Sequence, residues 1–128
     1  MVTKARPALN LAPRERKAVR EFVRTVGLAY GDKIQRAALF GSKVRGNDTK
    51  YSDVDILLIT TDEKWRFRQP MSVILSDIAL KYDVALDVRV ISAKRWESMK
   101  NMQAGLYQNI SRDAVPIRFH KKTAPASA

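Results

Sequence analysis

The chain has 128 residues, of which 45% are hydrophobic, and it carries 24 Lys and Arg against 13 Asp and Glu. This length suits one domain with a buried core. The absence of cysteine excludes disulfides and thiolate metal sites, and no apolar run approaches the roughly 20 residues of a membrane span. No apolar signal core follows Lys4 and Arg6, so a cytoplasmic protein is the expectation. The net charge of +11 predicts attraction to polyanions: ATP, RNA or an acidic protein.

The N-terminal part predicts a flexible tail, residues 1–12, followed by an amphipathic helix. Pro13 suits the first helical position, and from Arg14 to Tyr30 apolar residues recur at helical spacing. Gly31 is expected to end the helix. The apolar stripe is Val19, Phe22, Val23 and Val26. The basic residues on the other faces are Arg16, Lys17, Arg20 and Arg24. They form either a solvated face or a surface for nucleic acid or a partner.

Two carboxylates precede the most apolar segment of the chain. Val54 to Ile59 is rich in β-branched residues and predicts a strand buried on both faces. Because strand side chains alternate, Asp53 and Asp55 project from the same face at its start. Such a pair repels unless a cation lies between, and its hard oxygens suit Mg²⁺. The alternative is an aspartate pair that caps a turn in solvent.

A Gly-Ser turn precedes this strand. Residues 36–40 predict a short strand, and Gly41 permits a tight turn into a helix and close approach of backbone to a ligand. Free N–H groups at the turn and the Ser42 hydroxyl suit a phosphate. Arg45 could fork onto phosphate oxygens, and Gly46 is expected to end the turn. Lys43 either adds positive charge near the phosphates or is a solvated loop lysine.

A third carboxylate, Asp87, interrupts the next apolar strand. Residues 84–91 predict this strand, with Asp87 on the same face as Ala85 and Arg89. A charge in an apolar strand is costly without a partner. If the strand lies beside that of Asp53, Asp87 completes a carboxylate site; otherwise it pairs with Arg89 or Lys94.

The other segments carry weaker signals. Residues 60–69 interleave Trp65 and Phe67 with arginines, which suits either stacking on nucleic acid or a half-buried loop. Pro70 is predicted to open a helix that ends near Tyr82. Further helices are predicted over 93–99 and 102–111, with Trp96 in the core. Asp83 is expected to cap a turn, Asp48 and His120 to be solvated, and residues 119–128 to form a disordered basic tail.

The predicted order of helices and strands gives an α/β (α+β) fold: a small mixed sheet flanked by helices. Gly41-Ser42, the ten residues to Ser52, and Asp53-Val54-Asp55 resemble the signature of the DNA polymerase β-like nucleotidyltransferase superfamily. The form Gly-Ser-x-x-Arg-Gly…Ser-Asp-x-Asp is similar to its minimal nucleotidyltransferase (MNT) branch, which includes antitoxins paired with HEPN-domain toxins. Val44 occupies a position where many members have alanine.

This resemblance implies a nucleotidyltransferase domain over 13–118. It implies that Asp53, Asp55 and Asp87 bind two Mg²⁺ ions and catalyse, and that Gly41, Ser42, Lys43 and Arg45 bind a nucleoside triphosphate, ATP by preference. It further implies AMP transfer to a tyrosine of a HEPN partner, in an antitoxin role. Two alternatives stay open: a non-catalytic basic module that binds nucleic acid or a partner, and a nucleotidyltransferase acting on RNA or a small molecule. The sequence is also compatible with a homo- or hetero-oligomer.

Overall fold

The structure is a computed structural model that describes residues 10–46, 52–61 and 68–118. The predictions for Asp48, Trp65, Phe67, His120 and most of both tails concern residues outside these ranges. Within them, no helix is long and apolar enough to cross a membrane.

The described chain forms a four-stranded mixed sheet and five α-helices. The helices are α1 (Pro13–Tyr30), α2 (Ser42–Arg45), α3 (Arg68–Tyr82), α4 (Ala93–Asn101) and α5 (Gly105–Asp113), and a 3-10 turn covers Gly31–Lys33. The strands are β1 (Ile34–Phe40), β2 (Val54–Thr60), β3 (Leu86–Ser92) and β4 (Val115–Pro116), in the order β3-β2-β1-β4. β2 and β3 are parallel, whereas β1 is antiparallel to β2 and β4. The predicted fold class is confirmed.

Helices cover both faces of this sheet. The side chains of Val54, Ile56 and Leu58 lie in one apolar cluster with residues of α1 and α3. Leu57 and Ile59, which point the opposite way, lie in a second cluster with Ile110 of α5 and with Trp96 and Met99 of α4. β2 is therefore buried on both sides, as its continuous apolar sequence predicts. Trp96 is half-buried and stacks obliquely on Tyr107, with 4.8 Å between ring centroids.

Several element boundaries differ from the sequence prediction. α3 begins at Arg68, so Pro70 lies inside the first turn, where a missing N–H costs nothing. The last helix begins at Gly105, not at 102, because Gln103 has a φ of 51° that interrupts the helical path. Gly31 follows α1 with right-handed dihedrals and opens the 3-10 turn. α1 therefore ends by tightening into this turn, without a left-handed cap.

The folded unit begins before Pro13. The Asn10 N–H donates to the Lys43 carbonyl (2.9 Å), and Leu11 packs against the larger apolar cluster. The segment before α1 thus lies against the turn that follows β1.

Candidate active site

Gly41 joins β1 to α2 in a conformation that only glycine adopts readily. Its φ is +87° and its ψ −163°. A β-carbon at this position would overlap the Asp55 carboxylate, with Oδ2 as the nearest atom. Both the backbone path and the close approach to Asp55 therefore require glycine. The Gly-Ser turn and the aspartate strand are in direct contact.

The four-residue helix α2 folds back on Gly41. The N–H groups of Val44 and Arg45 both donate to the Gly41 carbonyl at 3.1 Å. Gly46 ends the helix in the left-handed region (φ 81°), as predicted, and its N–H donates to the Ser42 carbonyl. The sequence predicted free amides along this turn, but those of Val44 and Arg45 are engaged. The hydroxyl-bearing side chain of Ser42, at the start of α2, is half-exposed.

Val44 points into the protein. Its side chain is fully buried and belongs to the apolar cluster beneath α1 and α3. The valine at this position therefore fills the core.

Asp55 and Asp87 are direct neighbours across the parallel strands β2 and β3. Asp55 also lies opposite Phe40, the last residue of β1, so the pair sits next to the Gly41–Ser42 turn. By strand alternation Asp53 and Asp55 share the face of Leu57, which is the α4 and α5 side of the sheet. Asp53 and Asp87 are exposed and Asp55 is half-buried. We call Asp53, Asp55 and Asp87 the carboxylate cluster.

Burial and the neighbouring acids perturb the pKa of Asp55. Burial raises the pKa of Asp55 to about 6 from its ordinary value of 3.8, and repulsion from Asp87 and then Asp53 adds to the shift. The Arg89 guanidinium opposes it. A protonated Asp55 can donate a hydrogen bond to Asp87, which acts in the same direction on the pKa of Asp55. The fold thus holds acidic groups together against their repulsion.

The chemistry of these donors fits a hard divalent cation. Carboxylate oxygens are the ligands that Mg²⁺ prefers, and it uses only one or two of them beside phosphate oxygens and water. Among the residues that the structure describes, no three His, Cys, Asp or Glu side chains are grouped so that together they could hold a metal ion. The donor set is therefore the Asp55–Asp87 pair, with the exposed Asp53 beside it.

Lys43 lies away from the mouth of the turn. Its ammonium is buried and forms an ion pair with Glu15 of α1, at 3.1 Å from Oε2. Glu15 also accepts a hydrogen bond from the Ala12 N–H (2.8 Å). The sequence predicts either a phosphate ligand or a solvated lysine at this position, and the structure shows a third arrangement. Here Lys43 ties the turn to α1.

Arg45 contacts an acid of α5. Its guanidinium donates to Asp113 Oδ2, and Arg112 donates to Oδ1 of the same carboxylate (3.1 Å). Burial raises the pKa of Asp113, but the bonds from Arg112 and Arg45 outweigh it and the net pKa is lowered. The Arg45 side chain remains 39% exposed.

Glu15 and Asp113 are the partners that sequence reasoning missed. Glu15 is one of two acids in the basic helix α1, and Asp113 is the single acid of α5. Each is buried, with 8% and 5% exposure. A buried acid in a chain with a net charge of +11 indicates a cationic partner. Its sequence position does not say which cation.

Residues 27–113 match the family model described as polymerase beta, nucleotidyltransferase. The chain belongs to this nucleotidyltransferase family, and the resemblance drawn from the Gly-Ser and aspartate motifs is confirmed.

Two relatives come from Methanocaldococcus jannaschii. The chain is 33% identical over 69 residues to "Putative protein adenylyltransferase MJ0141", a match that covers 53% of this chain and 70% of that one. It is 44% identical over 45 residues to "Putative protein adenylyltransferase MJ0604", covering 35% of this chain and 45% of the relative. A solved structure, titled as a putative nucleotidyltransferase from Sulfolobus solfataricus, aligns with a TM-score of 0.49 at 22% identity over 78% of this chain and 76% of the other.

Proposed function

We propose that this protein transfers AMP from ATP to a hydroxyl group of a partner protein. The observation that carries the proposal is the contact between the Gly41 turn and the Asp55–Asp87 pair. This contact brings a glycine turn next to two neighbouring carboxylates, which supports a phosphate and a divalent cation bound side by side. The names of the two archaeal relatives support a protein as acceptor.

In this proposal Asp55 and Asp87 would supply the first ligands of Mg²⁺, two ions by the family pattern, and the exposed Asp53 side chain would move to join them when the metal binds. When bound, Mg²⁺ neutralises the triphosphate oxygens and stabilises the leaving pyrophosphate. The Asp55 carboxyl must be ionised to bind a cation. A bound cation would favour the ionised form and so lower the raised pKa of Asp55. The half-buried position of Asp55 fixes the pair, while the exposed Asp53 and Asp87 leave room for the substrate.

Gly41 and Ser42 are proposed to receive the β- and γ-phosphates. Gly41 lets the backbone approach closely, and the Ser42 hydroxyl donates to a phosphate oxygen. Arg45 adds the positive charge of its partly exposed side chain, which Asp113 holds in place. Lys43 contributes through position, because its pair with Glu15 anchors the turn.

The reaction is an in-line substitution at the α-phosphorus. The acceptor oxygen forms a bond to this phosphorus, the bond to the bridging α–β oxygen breaks, and pyrophosphate leaves. The hydroxyl proton passes to a carboxylate of the cluster or to water. The protein supplies position and charge complementarity.

The particular acceptor is proposed from the resemblance to the MNT branch. We propose a tyrosine of a HEPN-type toxin, so that this protein acts as a cytoplasmic antitoxin. RNA is the second candidate acceptor, because the net charge of +11 attracts it.

The test is transfer of label from α-labelled ATP in the presence of Mg²⁺ and the product of an adjacent HEPN-type gene. We expect label on the partner protein and its loss with Asp53→Ala. Asp77→Asn is the matched control, since Asp77 is exposed on α3 outside the carboxylate cluster.

Three outcomes decide between the candidates. Label on the partner that depends on Asp53 supports protein adenylylation. Label on RNA alone moves the acceptor to RNA. Salt-sensitive RNA binding with no label on any acceptor contradicts the enzymatic proposal and leaves a binding module.

A further inference from the structure

A second feature lies on the other side of the sheet from the carboxylate cluster. A groove of about 670 Å³ runs between α1 and β4 with the residues that follow it. Its apolar lining comes from the cluster beneath α1 and includes Val19, Val23 and Leu39. We call it the arginine groove, because Arg16, Arg20, Arg24 and Arg118 also line it.

The arginines of α1 form a regular row. Arg16, Arg20 and Arg24 are each four residues apart, so they follow one side of the helix over about 12 Å. All three are exposed, as is Arg118. In the part of the chain that the structure describes, none of the four is within ion-pair distance of a carboxylate. By contrast, Lys43 and Arg45 at the Gly41–Ser42 turn form ion pairs with acids of the protein itself.

We propose that the arginine groove binds an amphipathic helix of a partner protein, with apolar residues along one stripe and acidic residues beside it. The apolar floor would receive the stripe, and acids spaced four apart would match the arginine row. This interaction does not require nucleotide transfer.

The composition of the groove disfavours the other occupants. None of the described residues that line it is aromatic, whereas single-stranded nucleic acid is bound by stacking on aromatic rings. The chain's own ends, residues 1–9 and 119–128, contain Lys4, Arg6, Lys121 and Lys122 and no acid. A second copy carries the same net charge of +11. Neither the chain's own ends nor a second copy therefore offers an excess of acidic side chains to complement the arginines.

The edge of the sheet also favours a helix over an added strand. β4 has two residues, and one of them, Pro116, has no N–H to donate. The next N–H, that of Ile117, already donates to the Ala37 carbonyl (2.9 Å). Side-chain contacts, not backbone pairing, must therefore carry the binding.

The test uses three labelled 18-residue model peptides and the full chain. The first has leucines at helical spacing flanked by glutamates; the second replaces glutamate by lysine; the third replaces leucine by glutamine and keeps the acids. We expect measurable binding by fluorescence anisotropy for the first peptide alone. Amide NMR shifts should locate it at Val19, Val23, Val115 and Ile117.

A pair of charge-reversed variants separates the groove from the general basic charge. Arg20→Glu with Arg24→Glu should weaken binding at least about tenfold. Lys94→Glu with Lys100→Glu makes the same change in net charge on the exposed side of α4 and should weaken it less than about threefold. Circular dichroism checks that both variants keep their helices.

Several results would overturn the proposal. They are equal binding of the first and third peptides, equal losses in the two variants, shifts spread over the whole surface, or failure of the first peptide to bind. Competition by an 18-nucleotide RNA at the same amides would assign the groove to nucleic acid. Concentration-dependent self-association lost in Arg20→Glu with Arg24→Glu would assign it to a second copy.

Discussion

The charged side chains at the Gly41–Ser42 turn fall into two sets that the fold treats in opposite ways. The cations Lys43 and Arg45 are paired with Glu15 and Asp113, which belong to helices far away in sequence. The acids of the carboxylate cluster are held beside one another, and burial together with this repulsion raises the pKa of Asp55 to about 6. Opposite charges that pair within the protein satisfy one another, whereas like charges held together cost stability and are typical of ligand-binding and catalytic sites.

The largest expected effect is on catalysis at Asp55. Asp55→Asn should reduce label transfer by about a thousandfold, because a metal-binding oxygen anion is lost. The same variant should unfold at a higher urea concentration in the absence of Mg²⁺, because the repulsion is removed. A variant that is both inactive and less stable would show that the cluster serves the fold.

The second effect concerns the buried pair. Lys43→Met should lower the free energy of unfolding by about 3 kcal/mol, because it leaves Glu15 buried without its cation. The double variant Glu15→Leu with Lys43→Met should recover most of that loss. Urea denaturation measures both. A mild Lys43→Met phenotype with lost ATP binding would instead make Lys43 a nucleotide ligand.

The third effect is at Gly41. Gly41→Ala should lower the free energy of unfolding by about 2 kcal/mol, because of backbone strain at φ +87° and overlap with Asp55. Gly105→Ala is the matched control, since nothing lies within 4 Å of a β-carbon there and alanine favours its helix. Thermal unfolding should separate the two variants clearly. Equal stability would mean that the turn can move away from Asp55.

The fourth effect is the pH dependence of Asp55. Its pKa is raised when folded, so its contribution to stability is present below its ordinary value of 3.8 and is lost as the pH rises through about 6. Allowing for solvent screening of this half-exposed group, the loss is about 1 kcal/mol. Urea unfolding from pH 4 to 7 should show it in the parent chain and not in Asp55→Asn. Added Mg²⁺ at pH 7 should reverse it.

The smallest effect has the opposite sign. The pKa of Asp113 is lowered, so its contribution is present at neutral pH and is lost as the pH falls below its ordinary value. Asp113→Asn should destabilise by about 1 kcal/mol at pH 7, since both of its arginine partners are partly exposed. The difference in stability between the parent and the variant should shrink as the pH is lowered below 3.8. A loss that stays the same over this pH range would indicate lost packing.

The sequence carried most of the architecture. Continuous apolar segments predicted β2, helical spacing predicted α1, and the Gly-Ser and aspartate motifs pointed to the family. Element ends were less predictable, because they depend on single dihedrals such as that of Gln103. The prediction that Asp87 would lie beside Asp55 required parallel β2 and β3 with no register shift, and the structure provides this arrangement.

Local patterns in the sequence thus determined which segments form strands and helices. They also determined that the chain carries the Gly-Ser and aspartate motifs of a nucleotidyltransferase. They could do so because periodicity and turn chemistry act over a few residues. Which charge meets which was decided only by the tertiary structure. Glu15 lies 28 residues from Lys43 and Asp113 lies 68 from Arg45, so only the packing of α1 and α5 against the turn could choose those partners. Likewise, only the pairing of β2 with β3 brings Asp55 beside Asp87.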